Sequence, residues 1–231
     1  MEKTAAHLAP LRALRALRAL RVLRVPLLAL ALATAACQSS GPPAREHAAL
    51  FDGATLDGWT IRGGSARYFV DEGAIVGETR PNTPNTFLCT ARDYGDFVLE
   101  LEVLVHPELN SGIQIRSHAG PDGVVRGYQV EIDPSPRAYS GGIYEEGLRG
   151  WLAPPTPELA ADSPFRNGEW NRYRIEARGP RIRTWINDIP VADLADHAAA
   201  SGFIALQVHA VGDRAEPLHV RWRNIRLRSL K

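Results

Sequence analysis

The chain has 231 residues, with 27 Lys and Arg against 26 Asp and Glu, two Cys, and a formal net charge of +1. Six of the basic residues and one acidic residue lie in the first 36 positions, so the remainder carries 21 against 25, a net charge near −4. A mildly acidic body lacks the basic footprint of nucleic-acid recognition, and two cysteines do not build a disulfide framework.

Residues 1–36 read as an export signal. Lys3, Arg12, Arg15, Arg18, Arg21 and Arg24 precede an apolar, small-residue run from Val25 to Ala36 that ends at Cys37. A basic flank, a short apolar core and small residues before a cleavage point are the parts of such a signal. The run is too short for the roughly 20 residues of a spanning helix. Arginine at every third position also drifts around a helix and leaves no clean amphipathic face. Thr34-Ala35-Ala36-Cys37 resembles a bacterial lipoprotein box, which implies lipidation of Cys37 and a membrane anchor. Gln38 after the cysteine implies the outer membrane, facing the periplasm. Residues 37–49, with Pro42 and Pro43, form a tether. With Cys37 committed to lipid, Cys89 in the apolar run Thr86–Cys89 reads as a buried small hydrophobe.

From Leu50 onward, turn signals recur at short intervals: Asp57-Gly58, Gly63-Gly64, Asp71-Glu72-Gly73, Asn110-Ser111-Gly112 and Asp122-Gly123. Short apolar or alternating runs lie between them, which predicts strands over 67–71, 74–77, 97–105, 112–117, 127–133, 172–177, 182–187, 203–209 and 220–230. Only 157–161 and the Ala-rich 192–200 read as helical turns. Many short strands punctuated by Gly and Pro predict an all-β domain over 50–231, a sandwich of two antiparallel sheets.

The stretch from Gly127 to Leu152 organises the rest. Tyr128, Val130 and Ile132 point one way and Gln129, Glu131 and Asp133 the other, because successive strand residues face opposite sides. Two carboxylates about 7 Å apart on one face repel unless a cation or a ligand uses them. Gln114 and Arg116, and Gln207 and His209, repeat the pattern in two further strands. If the three strands share a sheet, Gln114, Arg116, Gln129, Glu131, Asp133, Gln207 and His209 form one polar face. Such a face suits a polyhydroxylated ligand, or a divalent metal held by Glu131 and His209, although no tight ligand spacing marks one. Each residue also has a structural reading: Arg116 as an ion-pair partner of Glu131, His209 as a half-buried histidine on backbone, Tyr144 as edge packing. The five tryptophans can stack on sugar rings or fill the core. No Ser-His-Asp order, phosphate-binding loop or zinc-finger spacing occurs.

The segments LFDGATLDGW, DFVLELEV, NSGIQIRS, GYQVEID, GGIY, GEWNRYRIEARGPRIRTWIND, GFIALQVH and RWRNIRLRSL resemble, in order, the 3-keto-disaccharide hydrolase domain family. Many relatives carry Glu then Gln where this chain has Gln129 then Glu131. The resemblance implies a concanavalin A-like jelly roll with a carbohydrate-facing concave sheet, and action on glycosides already oxidised at C3. It implies a base (His209 or Glu131), an enolate stabiliser (Arg116 or a metal) and an acid (Tyr144 or Asp133), with Gln114, Gln129, Gln207, Glu145, Arg149 and Trp151 around the substrate. The alternative expectation is a lectin-like module that binds sugar without turnover, since one architecture serves both. A purely structural surface lipoprotein is disfavoured by the polar groups on inward strands.

Overall fold

The computed structural model describes residues 47–230; the segment expected to be an export signal, Cys37 and most of the expected tether lie outside the described residues. Fifteen strands and one short helix follow in chain order. The first eight strands are β1 (Ala48–Ala49), β2 (Trp59–Gly63), β3 (Arg67–Asp71), β4 (Ala74–Glu78), β5 (Thr86–Tyr94), β6 (Phe97–Val105), β7 (Ser111–Ala119) and β8 (Val125–Ile132). Then come β9 (Ile143–Glu146), β10 (Gly150–Ala153), α1 (Pro157–Ala161), β11 (Asn171–Arg178), β12 (Arg181–Ile186), β13 (Ile189–Ala195), β14 (Gly202–Val208) and β15 (His219–Ser229).

The strands form two antiparallel sheets. One runs β13-β12-β11-β6-β15-β4-β3, with β1 added on β15, and the other runs β10-β9-β8-β7-β14-β5-β2. Alternation explains the layering. Phe97, Leu99, Leu101 and Val103 of β6 face Ile113, Ile115, Tyr128, Val130 and Leu206 of the other sheet across one core, as expected when each strand buries every second side chain. Trp222 and Tyr173 are fully buried in that core. The other tryptophans divide differently. Trp59 packs against the core, while Trp170 and Trp185 stack under Arg223 and Arg174 on the outer side of the eight-stranded sheet. Trp151 lines a cleft on the seven-stranded sheet.

The nine predicted strands are all present, and α1 forms where a helical turn was expected, its N-terminus capped by the Thr156 hydroxyl. The expectation of helix at 192–200 is overturned. Ala192–Ala195 belong to β13, which returns from β12 through Asn187 and Asp188, both at positive φ. Ile186 pairs with Ile189 across this two-residue turn, whose left-handed geometry matches the twist of a hairpin. Once the turn is set, ladder bonds outweigh the helical preference of alanine. Four more strands, β1, β2, β5 and β10, are too short or too little alternating to be read from sequence. Cys89 is fully buried and free, and burial raises its thiol to about 12, consistent with an inert packing residue. Among the described residues, no helix is long and apolar enough to cross a membrane.

Candidate active site

Strands β8, β7 and β14 are neighbours, so the condition for one polar face is met. In register, Gln129 lies opposite Gln114 and Tyr144, and Gly112 lies between Glu131 and Gln207. All of these face away from the core. A cleft of ≈ 570 Å³ opens above them, lined by Gln129, Glu131, Asp133, Tyr144, Trp151 and His209 among others. Six of the expected site residues therefore meet in one place.

Glu131 sits at the floor, 4% exposed. Its Oε2 accepts from Gln129 Nε2 at 2.9 Å, and its Oε1 accepts from Asn110 Nδ2 at 2.7 Å and Arg137 Nη2 at 3.2 Å. A carboxylate offers about four acceptor directions, so one remains for a ligand. Burial raises the Glu131 pKa above its ordinary value, against the lowering effect of Asn110, Gln129 and Arg137. The result is a carboxylate that can take up a proton nearer neutrality.

Asp133 has the opposite fate. Burial alone would raise it, but Ser135, Arg137 and the Tyr139 N–H together hold it below the usual carboxylate value. It organises the loop after β8: Ser135 N and Tyr139 N donate to its two oxygens at 3.1 and 3.2 Å, and Arg137 Nε donates at 2.8 Å. An ionised Asp133 aims Arg137 at the cleft and has no proton to give as an acid.

Arg137 is half-exposed, bridges Glu131 and Asp133, and lies 5.1 and 5.2 Å from the ring centres of Tyr139 and Trp151. Trp151 meets Tyr139 and Tyr144 edge-on at 4.9 and 5.3 Å. The cleft therefore has a cation above a carboxylate and an aromatic wall beside it. His209 stands across from them, just past β14. Its Nδ1 lies 2.8 Å from Ala210 O; a carbonyl only accepts, so Nδ1 carries the hydrogen and Nε2 keeps its lone pair in the neutral ring. Asn85 closes that side, donating to Glu146 Oε1 at 2.9 Å and accepting from Ala210 N at 2.9 Å.

Other expected residues lie elsewhere. Arg116 does not join the face. It is 1% exposed, at φ +47° in a bulge where the register of β7 shifts. Its guanidinium donates to Gly95 O, Gly179 O, Ala199 O and Asp96 Oδ1, so it neither pairs with Glu131 nor reaches the cleft. Glu145 and Arg149 form an ion pair with each other, and Arg149 also pairs with Asp196. Glu145 sits opposite Tyr128 in the register of β9, on the core side, while its neighbours Tyr144 and Glu146 line the cleft. Gln114 and Gln207 are on the correct face but fully buried beneath it.

Asn110, Arg137, Asn85 and Glu146 complete the cleft without having been expected there. Asn110 sits on the connection that carries the chain from β6 in one sheet to β7 in the other, and Arg137 sits in a loop, so neither takes part in an alternating pattern. Among the described residues, no three His, Cys, Asp or Glu side chains converge as a metal-ligand set. Both oxygens of Glu131 already face N–H donors, a poor surrounding for a cation, so the residues here do not fit the divalent metal expected for Glu131 and His209.

The chain resembles several solved proteins in fold. A candidate glycosyl hydrolase of Parabacteroides distasonis superposes with a TM-score of 0.60 at 17% identity, over 81% of this chain and 95% of that one. A carbohydrate-binding module of Bacillus subtilis gives 0.55 at 17% identity, over 76% and 98%. A galectin-like protein of unknown function, also from Bacillus subtilis, gives 0.56 at 11% identity, over 74% and 89%. No curated protein matches the sequence. The profile of the 3-keto-alpha-glucoside-1,2-lyase-like domain matches residues 46–228, across both sheets and every residue of the cleft, and the chain belongs to that family.

Proposed function

We propose that the domain cleaves 3-keto-glycosides by removing the proton at C2, with Glu131 as the base. The observation that carries this reading is the pairing of a buried carboxylate of raised pKa with the Arg137 guanidinium in one sugar-sized cleft. A ketone at C3 acidifies the C2–H bond. Glu131 takes that proton, and the electron pair moves into the C2–C3 bond and onto the ketone oxygen. Arg137 and Asn110 donate to the enolate oxygen as its charge develops, the form of stabilisation that favours the transition state over the ground state. The enolate then collapses, C1–C2 becomes a double bond, and the C1–O bond breaks. The leaving oxygen takes a proton from Tyr144. Addition of water across C1–C2 converts the enone to the free 3-keto sugar, giving net hydrolysis.

Support comes from the family match and from the geometry of the base. The test is incubation of the purified domain with a 3-keto-glycoside and with its unoxidised parent, with and without chelator. Turnover of the keto sugar alone is expected, unaffected by chelator. The aromatic wall of Tyr139, Tyr144 and Trp151 also favours a second reading, sugar binding without turnover; saturable binding of both sugars with no product would establish it.

We infer further that the domain is carried at the cell envelope on lipidated Cys37, on the strength of the residues that precede it.

A further inference from the structure

Behind Glu131 runs a chain of buried neutral groups that leads away from the cleft wall, from Gln129 inward. Ser117 Oγ donates to Gln114 Oε1 at 2.7 Å, Gln114 Nε2 donates to Gln129 Oε1 at 2.7 Å, and Gln129 Nε2 donates to Glu131 Oε2 at 2.9 Å. Ser117 and Gln114 are fully buried and Gln129 is 3% exposed. The bulge that turns Arg116 away places Ser117 on this face, and Gly127 admits it, since a Cβ there would lie 2.5 Å from Ser117 Oγ. Gly112 likewise makes room for the Gln129 amide, which a Cβ would meet at 2.3 Å.

Every link points its hydrogen toward Glu131, the polarity an ionised carboxylate demands. A protonated Glu131 has the opposite need. Its new O–H must donate, yet Gln129, Asn110 and Arg137 all present donors to it. Each link can reverse. If Gln129 turns its amide over, its Oε1 accepts from Glu131 and its Nε2 donates to Gln114 Oε1, provided Gln114 turns as well. Gln114 Nε2 then donates to Ser117 Oγ. The Ser117 hydrogen is not stranded, because Ile115 O already lies 3.0 Å from its oxygen. All members stay paired in both polarities, which matters because a half-satisfied buried network is costly.

We propose that Ser117, Gln114 and Gln129 form a reversible amide relay that serves both protonation states of Glu131, with Gln114 and Ser117 as positioning residues for the base. The inference rests on the reading of Glu131 as the base of 3-keto-glycoside cleavage. The charged and titratable groups that share the cleft with Glu131 are Arg137 and Asp133 from the loop after β8, Glu108 from the β6–β7 connection, Tyr144 and Glu146 from β9, and His209 from the end of β14. From the core side, the Tyr173 hydroxyl of β11 donates to the backbone Glu131 O at 3.2 Å.

The test is side-chain NMR of the full domain across the titration of Glu131. The 15N amide signals of Gln129 and Gln114 are expected to move with the same midpoint as the Glu131 carboxyl carbon. In Glu131→Gln they are expected to stay fixed. Amide signals that ignore the Glu131 titration overturn the proposal, whether or not the domain turns over keto sugars. In turnover, Gln114→Leu is expected to lower kcat about tenfold or more, as misplacement of a reacting group does, while KM changes less than about threefold. Unchanged kcat in a folded Gln114→Leu also overturns it. Absence of keto-sugar turnover by the unaltered domain refutes the activity instead, and leaves the NMR result to judge the relay.

Discussion

Arg116→Lys separates two incompatible roles for one residue. Alternation with Gln114 puts Arg116 on the polar face as an enolate clamp, whereas the structure ties it to the β5–β6 turn at Gly95 and Asp96, the β11–β12 turn at Gly179, and Ala199. A lysine keeps the charge but presents its donors from one point, so it cannot reach three separate segments as the planar fork does. At least two of the four hydrogen bonds are lost. At ~1.5–3 kcal/mol for each bond to a charged group, the cost is ~3–6 kcal/mol. Asp96 is one-third exposed and re-solvates in part, which places the expected loss nearer ~3–5 kcal/mol. For a domain of this size each kcal/mol lowers Tm by ~2–4 °C, giving a fall of ~6–20 °C. Thermal melts followed by circular dichroism measure the fall, and turnover of a 3-keto-glycoside well below the variant's Tm measures the site. Full turnover per folded molecule is expected. A Tm within about 2 °C of the parent together with lost turnover would show that the guanidinium acts on substrate, and the structural assignment would be wrong.

Glu131→Gln removes the base and is expected to lower kcat by ~10²–10⁴, while His209 and the aromatic wall still hold the sugar with little change in binding. The same substitution tests the raised pKa through stability. A carboxyl whose folded pKa lies above its ordinary 4.5 binds more protons when folded than when unfolded, so its contribution weakens as pH rises from there to the folded value. The Tm difference between Glu131→Gln and the parent should therefore shift in favour of the variant over that window and then level off; a difference independent of pH contradicts the assignment. Gly112→Ala should displace Gln129 from the relay and lower both kcat and Tm, because a Cβ would lie 2.3 and 2.5 Å from Gln129 Cδ and Cγ and the displaced buried amide would lose its partners; unaltered kinetics would show that Gln129 has no part in holding Glu131. Replacing Cys37 with Ser should release the protein from the membrane fraction of the producing cell, and retention there would point to another anchor.

The sequence by itself determined the class of fold and most of the core. A period of two survives in β6, β8 and β11 because each buries one face against the opposite sheet and leaves the other largely polar, so their inward residues are written into local order. The same parity put Gln129, Glu131, Asp133 and His209 on one face, and the family resemblance added Tyr144 and Trp151; all six line the cleft. Tertiary structure decided the rest, and the reasons are local. One residue of bulge at Arg116 changes the parity of β7, exchanging the place of an arginine with that of Ser117, and no alternation pattern records such an insertion. The short β9 offers too few residues for its parity to separate Glu145 from Glu146. Asn110 and Arg137 reach Glu131 from a sheet-crossing connection and a loop, where side-chain direction follows turn geometry and not period. The fate of the two carboxylates was equally beyond sequence. Glu131 and Asp133 are the same kind of group two residues apart, each accepting three N–H donors, and only the balance between desolvation and those donors raises one pKa and lowers the other.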